Sequence, residues 1–146
     1  MQTDPDSEPV GVLQRSEESS FFGTVCRGSS RGKRMGFPTA NLELRSEMAS
    51  ELRPGVYAAS VAWDDREPRA AVVNLGCRPT FRERGLTFEV HVLDFDGDLY
   101  GKDLGVTLVA RIRDEKRFDG QEALVEQIGR DVEKARDWFA DNGVHQ

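Results

Sequence analysis

The chain has 146 residues, which favours one domain with one core, and a domain of that size needs no disulfide or metal staple. Its 20 Lys and Arg against 26 Asp and Glu leave a net charge of −6, which argues against a general nucleic-acid binder with a basic footprint. Cys26 and Cys77 form no CxxC pair and have no His at ligand spacing, which speaks against zinc and for a reducing cytoplasm; no apolar run reaches a membrane span, and the acidic start is not a secretory signal.

Residues 1–18 carry Asp4, Asp6, Glu8, Glu17 and Glu18 among few apolar groups. Such a stretch buries too little apolar area to offset its ordering entropy, so a mobile acidic tail is expected there, with the domain spanning 19–146. From Ser19 onward, short β-like segments alternate with Gly and Pro. The expected strands are Phe21–Arg27, Val56–Trp63, Arg69–Leu75, Leu86–Phe95 and Leu104–Arg113, a pattern that suggests a barrel or sandwich. In the fourth, Leu86, Phe88, Val90 and Val92 share one face, opposite Thr87, Glu89 and His91. In the fifth, Val106, Leu108, Ala110 and Ile112 share a face, opposite Arg111 and Arg113. The C-terminal period is different: Leu124, Ile128, Val132, Ala135 and Phe139 recur at three- and four-residue steps, predicting an amphipathic helix. Asp119 with Glu122 reads as a capping box, and Asn142-Gly143 as the stop.

Four segments can carry chemistry. Gly28-Ser29-Ser30-Arg31-Gly32-Lys33 is glycine-rich and cationic, but it is not a P-loop. It has three residues between the glycines where four are required, Arg34 follows the Lys, and Pro38 forbids the helix a P-loop needs. Such a turn can drape over phosphates, and a solvated hairpin turn fits the same spacing. In Gly36-Phe37-Pro38-Thr39-Ala40-Asn41-Leu42, a Pro-fixed bend precedes Thr39 and Asn41, which point the same way on an extended segment. Their neutral oxygens suit a Mg²⁺ already shared with phosphates, or else they bond local backbone. Glu89, mid-strand and away from the apolar face, can accept a proton from an attacking alcohol; from composition alone it is an ordinary exposed carboxylate. Arg111-Ile112-Arg113-Asp114-Glu115-Lys116-Arg117-Phe118 is either a charged connection or the border of an aromatic ligand.

In this order and spacing the segments resemble the riboflavin kinase family. The matching pieces are the Gly28–Gly32 loop, Gly36 to Leu42, Pro54-Gly55-Val56-Tyr57, Asn74-Leu75-Gly76 and Pro79-Thr80-Phe81. Glu89 to Phe95, Asp98-Leu99-Tyr100-Gly101, Arg113 to Phe118, and Gln127-Ile128 with Asp131 complete the set, over about residues 21–139. The resemblance implies an all-β fold, a six-stranded antiparallel Greek-key barrel with a C-terminal helix. It implies transfer of the ATP γ-phosphate to the ribityl 5′-hydroxyl of riboflavin, giving FMN, with Mg²⁺ as cofactor. Thr39 and Asn41 are then the metal contacts, Glu89 the general base, and Gly28, Lys33, Thr39 and Tyr100 the nucleotide contacts. Arg113, Lys116 and Phe118 fall in the flavin-side loop. Many bacterial relatives are bifunctional, with a His-containing adenylyltransferase domain. Here about 20 residues precede the barrel and the only histidines are His91 and His145, so a monofunctional enzyme without FAD synthesis is expected.

The expected partners are riboflavin and ATP, with no nucleic acid and no membrane, for a cytoplasmic monomer. Two other readings compete. A flavin- or nucleotide-binding module without turnover has no need of a base, so the joint presence of Thr39, Asn41 and Glu89 speaks against it. A small-barrel nucleic-acid binder is disfavoured by the charge and by the lack of a strand face mixing aromatic and basic residues.

Overall fold

The computed structural model describes residues 11–12, 19–26, 40–43, 53–64, 66–79, 84–95, 97–116, 118 and 120–143. Seven strands are formed: β1 (Gly11–Val12), β2 (Ser19–Cys26), β3 (Ala40–Glu43), β4 (Gly55–Ala62), β5 (Arg69–Pro79), β6 (Arg84–Val92) and β7 (Asp103–Arg113), followed by the helix α1 (Gln121–Asn142). All pairings are antiparallel. Their order, β7-β2-β3-β6-β5-β4 with β4 pairing back to β7, closes a six-stranded barrel. The strands β4, β5 and β6 are sequential neighbours and β7 returns beside β4, which is a Greek key. The two-residue β1 extends the edge of β7 at Arg111 and Ala110, beyond the stretch that pairs with β2.

Period-two alternation fills the barrel. Phe21, Val25, Leu42, Tyr57, Ala59, Val61, Val73, Leu75, Phe88, Val90, Val92, Leu104, Val106 and Leu108 point inward and form one cluster. Phe88 is the largest of the fully buried side chains, and burying a Phe of this kind contributes about 1.5–3 kcal/mol. A second cluster lies outside the barrel wall, where Val56, Ala58, Val72, Leu93, Ala110 and Ile112 meet Val132, Ala135 and Phe139 of α1. The helix thus covers one patch of the outer wall, and among the described residues Asn74 of that wall is exposed.

Two expectations are corrected. Val106, Leu108, Ala110 and Ile112 do not share a face: the β4–β7 register shifts at Ala58/Ala59, where Ala58 faces Ala110 but Ala59 faces Leu108. Val109 is therefore an extra residue, a β-bulge that turns Ala110 and Ile112 out of the barrel and under the helix. The helix has no capping box either. Its N-cap is Gly120 in extended conformation, with no side-chain cap bond. Its end is as expected: Gly143 has φ 75° and its N–H bonds the Phe139 carbonyl, the single-bond left-handed stop. Within the stretch 1–18, Gly11 and Val12 form β1. The strand β3, read from sequence only as an extended segment after a bend, is a full member of the barrel.

Candidate active site

One cross-strand row runs along the outer wall, from residues the helix leaves accessible to residues it covers. Asn41 of β3 stands opposite Glu89 of β6, and Glu89 stands opposite Asn74 of β5. Asn74 then faces Val56 of β4, and Val56 faces Arg113 of β7. The neighbours Leu42, Phe88, Val90, Val73 and Leu75 are all inside the barrel, so alternation turns Asn41, Glu89 and Asn74 outward together. Directly opposed side chains leave their strands about 4.5–5.5 Å apart at Cβ. The row therefore presents a carboxylate flanked on both sides by carboxamides. Glu89 and Asn41 are half-buried and Asn74 is exposed.

At the Asn41 end, the strands lead towards the Tyr100 turn. Asn41 also faces Cys26, the last residue of β2, and the Cys26 thiol donates to the Asn41 carbonyl at 3.4 Å. The turn carrying Tyr100 is tied to the same place. Gly101 N–H bonds the Val25 carbonyl at 3.0 Å, and Val25 N–H bonds the Lys102 carbonyl at 2.9 Å. Asp98 accepts from the Tyr100 N–H at 2.9 Å, and Gly101 holds φ 81°, a left-handed position that suits a residue without Cβ. Tyr100 itself is 54% exposed. Gly28, Lys33 and Thr39 lie outside the described residues.

At the other end, Arg113, Lys116 and Phe118 come together. The Arg113 guanidinium and the Lys116 ammonium each lie 5.7 Å from the Phe118 ring centre, within cation–π range. Arg113 is heavily committed to the protein. Its Nε and Nη2 donate to both oxygens of Asp131 on α1 at 2.9–3.1 Å, and Nη1 donates to the Asp114 carbonyl at 3.0 Å. The Arg113 and Asp131 side chains are only 9% and 3% exposed. Gln127, which is fully buried, donates a further bond to Asp131 at 3.0 Å. The helix thus grips the start of the 114–118 segment through one buried pair.

A second grip comes from Arg111, and it explains the Pro54-Gly55-Val56-Tyr57 motif. Arg111 donates to the Tyr57 hydroxyl at 2.7 Å, to the Pro54 carbonyl at 2.9 Å and to the Asp114 carboxylate. The Tyr57 hydroxyl in turn donates to the Arg53 carbonyl at 2.6 Å. These bonds with Arg111, and its adjacent charge, hold the Asp114 carboxyl below its ordinary range, and Arg53 adds a smaller pull. Gly55 makes room for this arrangement: with φ 156°, a Cβ there would fall 2.6 Å from Arg111 Nη1. Gly55→Ala must displace the guanidinium and is expected to destabilise the protein by about 1–3 kcal/mol. Urea denaturation checks it, and an unchanged midpoint would mean that Arg111 gives way at no cost.

The residues the sequence picked out thus fall into two groups along one row: Asn41, Glu89 and the Tyr100 turn, then Arg113, Lys116 and Phe118. Asn74 belongs to a matched motif that by itself assigns it no role, although a polar residue within Ala70-Ala71-Val72-Val73-Asn74-Leu75 is a usable signal. Asp131 and Gln127 were likewise matched without a role. Chemically, an outward carboxylate between two carboxamides can take a proton from a hydroxyl while its neighbours hold adjacent polar groups. Among the described residues no cluster of three or more His, Cys, Asp or Glu could hold a metal by itself, and no helix is long and apolar enough to cross a membrane.

Comparison with known proteins bears on the family and the fold. The family model "Riboflavin kinase" (Flavokinase) matches residues 16–139. The bifunctional riboflavin kinase/FMN adenylyltransferase of Escherichia coli K12 is 41% identical over 120 residues, which cover 82% of this chain and 38% of that protein. An RNA-binding riboflavin kinase of Bacillus subtilis is 36% identical over 111 residues, 75% of this chain and 46% of that one. Among solved structures, the riboflavin kinase of Trypanosoma brucei superposes with a TM-score of 0.62 at 26% identity, covering 90% of this chain and 83% of that one. A Streptococcus pneumoniae protein described as a macrolide-efflux protein superposes at 0.75 with 36% identity, covering 82% of this chain and 38% of that one. The chain accordingly spans about two fifths of the length of the Escherichia coli relative. With a matching family model over most of its length and a barrel of the same kind, the chain belongs to the riboflavin kinase family.

Proposed function

We propose that this chain transfers the γ-phosphate of ATP to the 5′-hydroxyl of riboflavin, giving FMN and ADP. The observation that carries the reading is the row itself: Glu89 stands between Asn41, at the end reached by the Tyr100 turn, and the 114–118 segment gripped by Arg113. Phosphoryl transfer asks chiefly for alignment and charge neutralisation. In this reading Glu89 accepts the proton of the 5′-hydroxyl as the new O–P bond forms and the bond to ADP breaks. Asn41, with Thr39 two residues earlier in sequence, supplies neutral oxygen donors of the kind Mg²⁺ accepts when phosphates provide the remainder. The fit is chemical: Asn41 turns a hard, neutral carboxamide oxygen outward on the strand beside Glu89. When bound, such an ion neutralises phosphate charge. Gly28 and Lys33 are proposed to meet the nucleotide phosphates and Tyr100 the nucleotide.

On the flavin side the proposal is refined. Phe118 and Lys116 are the residues that meet the flavin, whereas Arg113, whose donors are engaged by Asp131 and Asp114, acts by positioning their segment. We further propose a monomer acting in the cytoplasm. The relative described as RNA-binding does not change this reading, since the net charge of −6 offers no basic footprint. The experiment is direct: pure protein with riboflavin, ATP and Mg²⁺ should yield FMN by chromatography. Flavin binding with no FMN under any divalent metal would instead favour a binding module without turnover.

A further inference from the structure

Resting on the reading above, we propose that Asn74 is a specificity residue that hydrogen-bonds the 4′-hydroxyl of the ribityl chain. The metal and nucleotide side of the row ends at Asn41, the flavin side begins at Arg113, and Asn74 lies between Glu89 and the latter. A flavin held by the 114–118 segment must pass its ribityl chain over Asn74 to bring the 5′-hydroxyl to Glu89.

The surface at this point is suited to a polyol. Two residues earlier on the same outer face, Val72 is buried beneath α1, as is Val56 opposite Asn74, whereas Asn74 is exposed, so Asn74 lies at the edge of the helix-covered patch. Asn is disfavoured in strands, and here it interrupts a run of Ala and Val. Solvent alone would accept any polar residue there. A carboxamide adds something particular, since it donates and accepts at once, as a sugar hydroxyl does. One strand spacing, about 4.8 Å, separates it from Glu89. That separation selects the hydroxyl next to the reacting carbon, 4′, over 2′, which lies further along the chain. Through this bond Asn74 holds the terminal carbon in one orientation, so that the 5′-oxygen faces Glu89.

The test pairs variants with substrate analogues. Wild type should lose about 5- to 10-fold in kcat/KM on 4′-deoxyriboflavin, one neutral hydrogen bond's worth, and little on 2′-deoxyriboflavin. Asn74→Ala should lose a similar factor on riboflavin, with the KM for ATP unchanged, and should no longer distinguish riboflavin from the 4′-deoxy analogue. Asn74→Ser, which keeps a donor and an acceptor, should recover part of the discrimination, and it stands in if the Ala variant fails to fold. If the variants lose equally on riboflavin and on both analogues, or if wild type does not distinguish the 4′-deoxy compound, the assignment of Asn74 is wrong while the kinase reading stands. A wild-type protein that makes no FMN would overturn both.

Discussion

Replacing Glu89 by Gln is expected to lower kcat by about 10²–10⁴-fold, the usual contribution of a positioned general base, or roughly 3–5 kcal/mol in barrier. The change is nearly isosteric, and the side chain lies on the opposite face from the buried Phe88 and Val90, so the barrel should be undisturbed. Flavin and ATP affinity should change little, because the carboxylate matters most while the proton is in transit. Steady-state kinetics with direct binding titrations separate these quantities. A Gln variant with kcat within about threefold of wild type would make Glu89 a surface carboxylate and leave the row without a base.

The largest effect on stability is expected at Asp131. Its carboxylate is 3% exposed and takes three bonds from Arg113, itself only 9% exposed, plus one from Gln127. Removing one partner of such a buried pair leaves an uncompensated charge, so Asp131→Ala should destabilise the protein by about 3–5 kcal/mol. Replacing both partners with apolar residues of similar size should cost far less. By contrast, Asp114→Ala removes an exposed carboxylate and should change stability by no more than about 1 kcal/mol. Denaturant unfolding of the three variants gives the comparison. An Asp131→Ala protein as stable as wild type would mean that solvent reaches Arg113 freely. The pair also has a functional side, since it fixes the root of the segment proposed to meet the flavin. Any folded Asp131 variant should therefore raise the KM for riboflavin more than that for ATP.

Much of the fold was legible because its signals are local. The spacing of Val132, Ala135 and Phe139 predicted the helix face that packs, and the alternation of Phe88, Val90 and Val92 predicted the inward face of β6. What escaped is set by distant partners. Val106, Leu108, Ala110 and Ile112 look like one face because alternation cannot tell the barrel interior from an outer patch that a helix also makes apolar. Only the bulge at Val109 divides them. The strand β3 is only four residues long, with Leu42 buried among them, too little period to register. The site shows the same division. Asn41 and Glu89 were both singled out, but their opposition across β3 and β6 follows from register between strands far apart in sequence. The cations at Arg113 and Lys116 were found, yet nothing local indicated that a buried Asp131, 18 residues on, engages one of them.

The central claim is that this barrel moves a phosphoryl group onto the terminal hydroxyl of riboflavin. The most direct measurement follows the atom itself. Incubating the pure protein with riboflavin, Mg²⁺ and ATP labelled in the γ-phosphate should place the label on the 5′-oxygen of FMN, with one ADP formed for each FMN, and the Glu89→Gln protein should do so far more slowly. Label that appears only in inorganic phosphate, or stays in ATP while flavin is bound unchanged, would contradict the account.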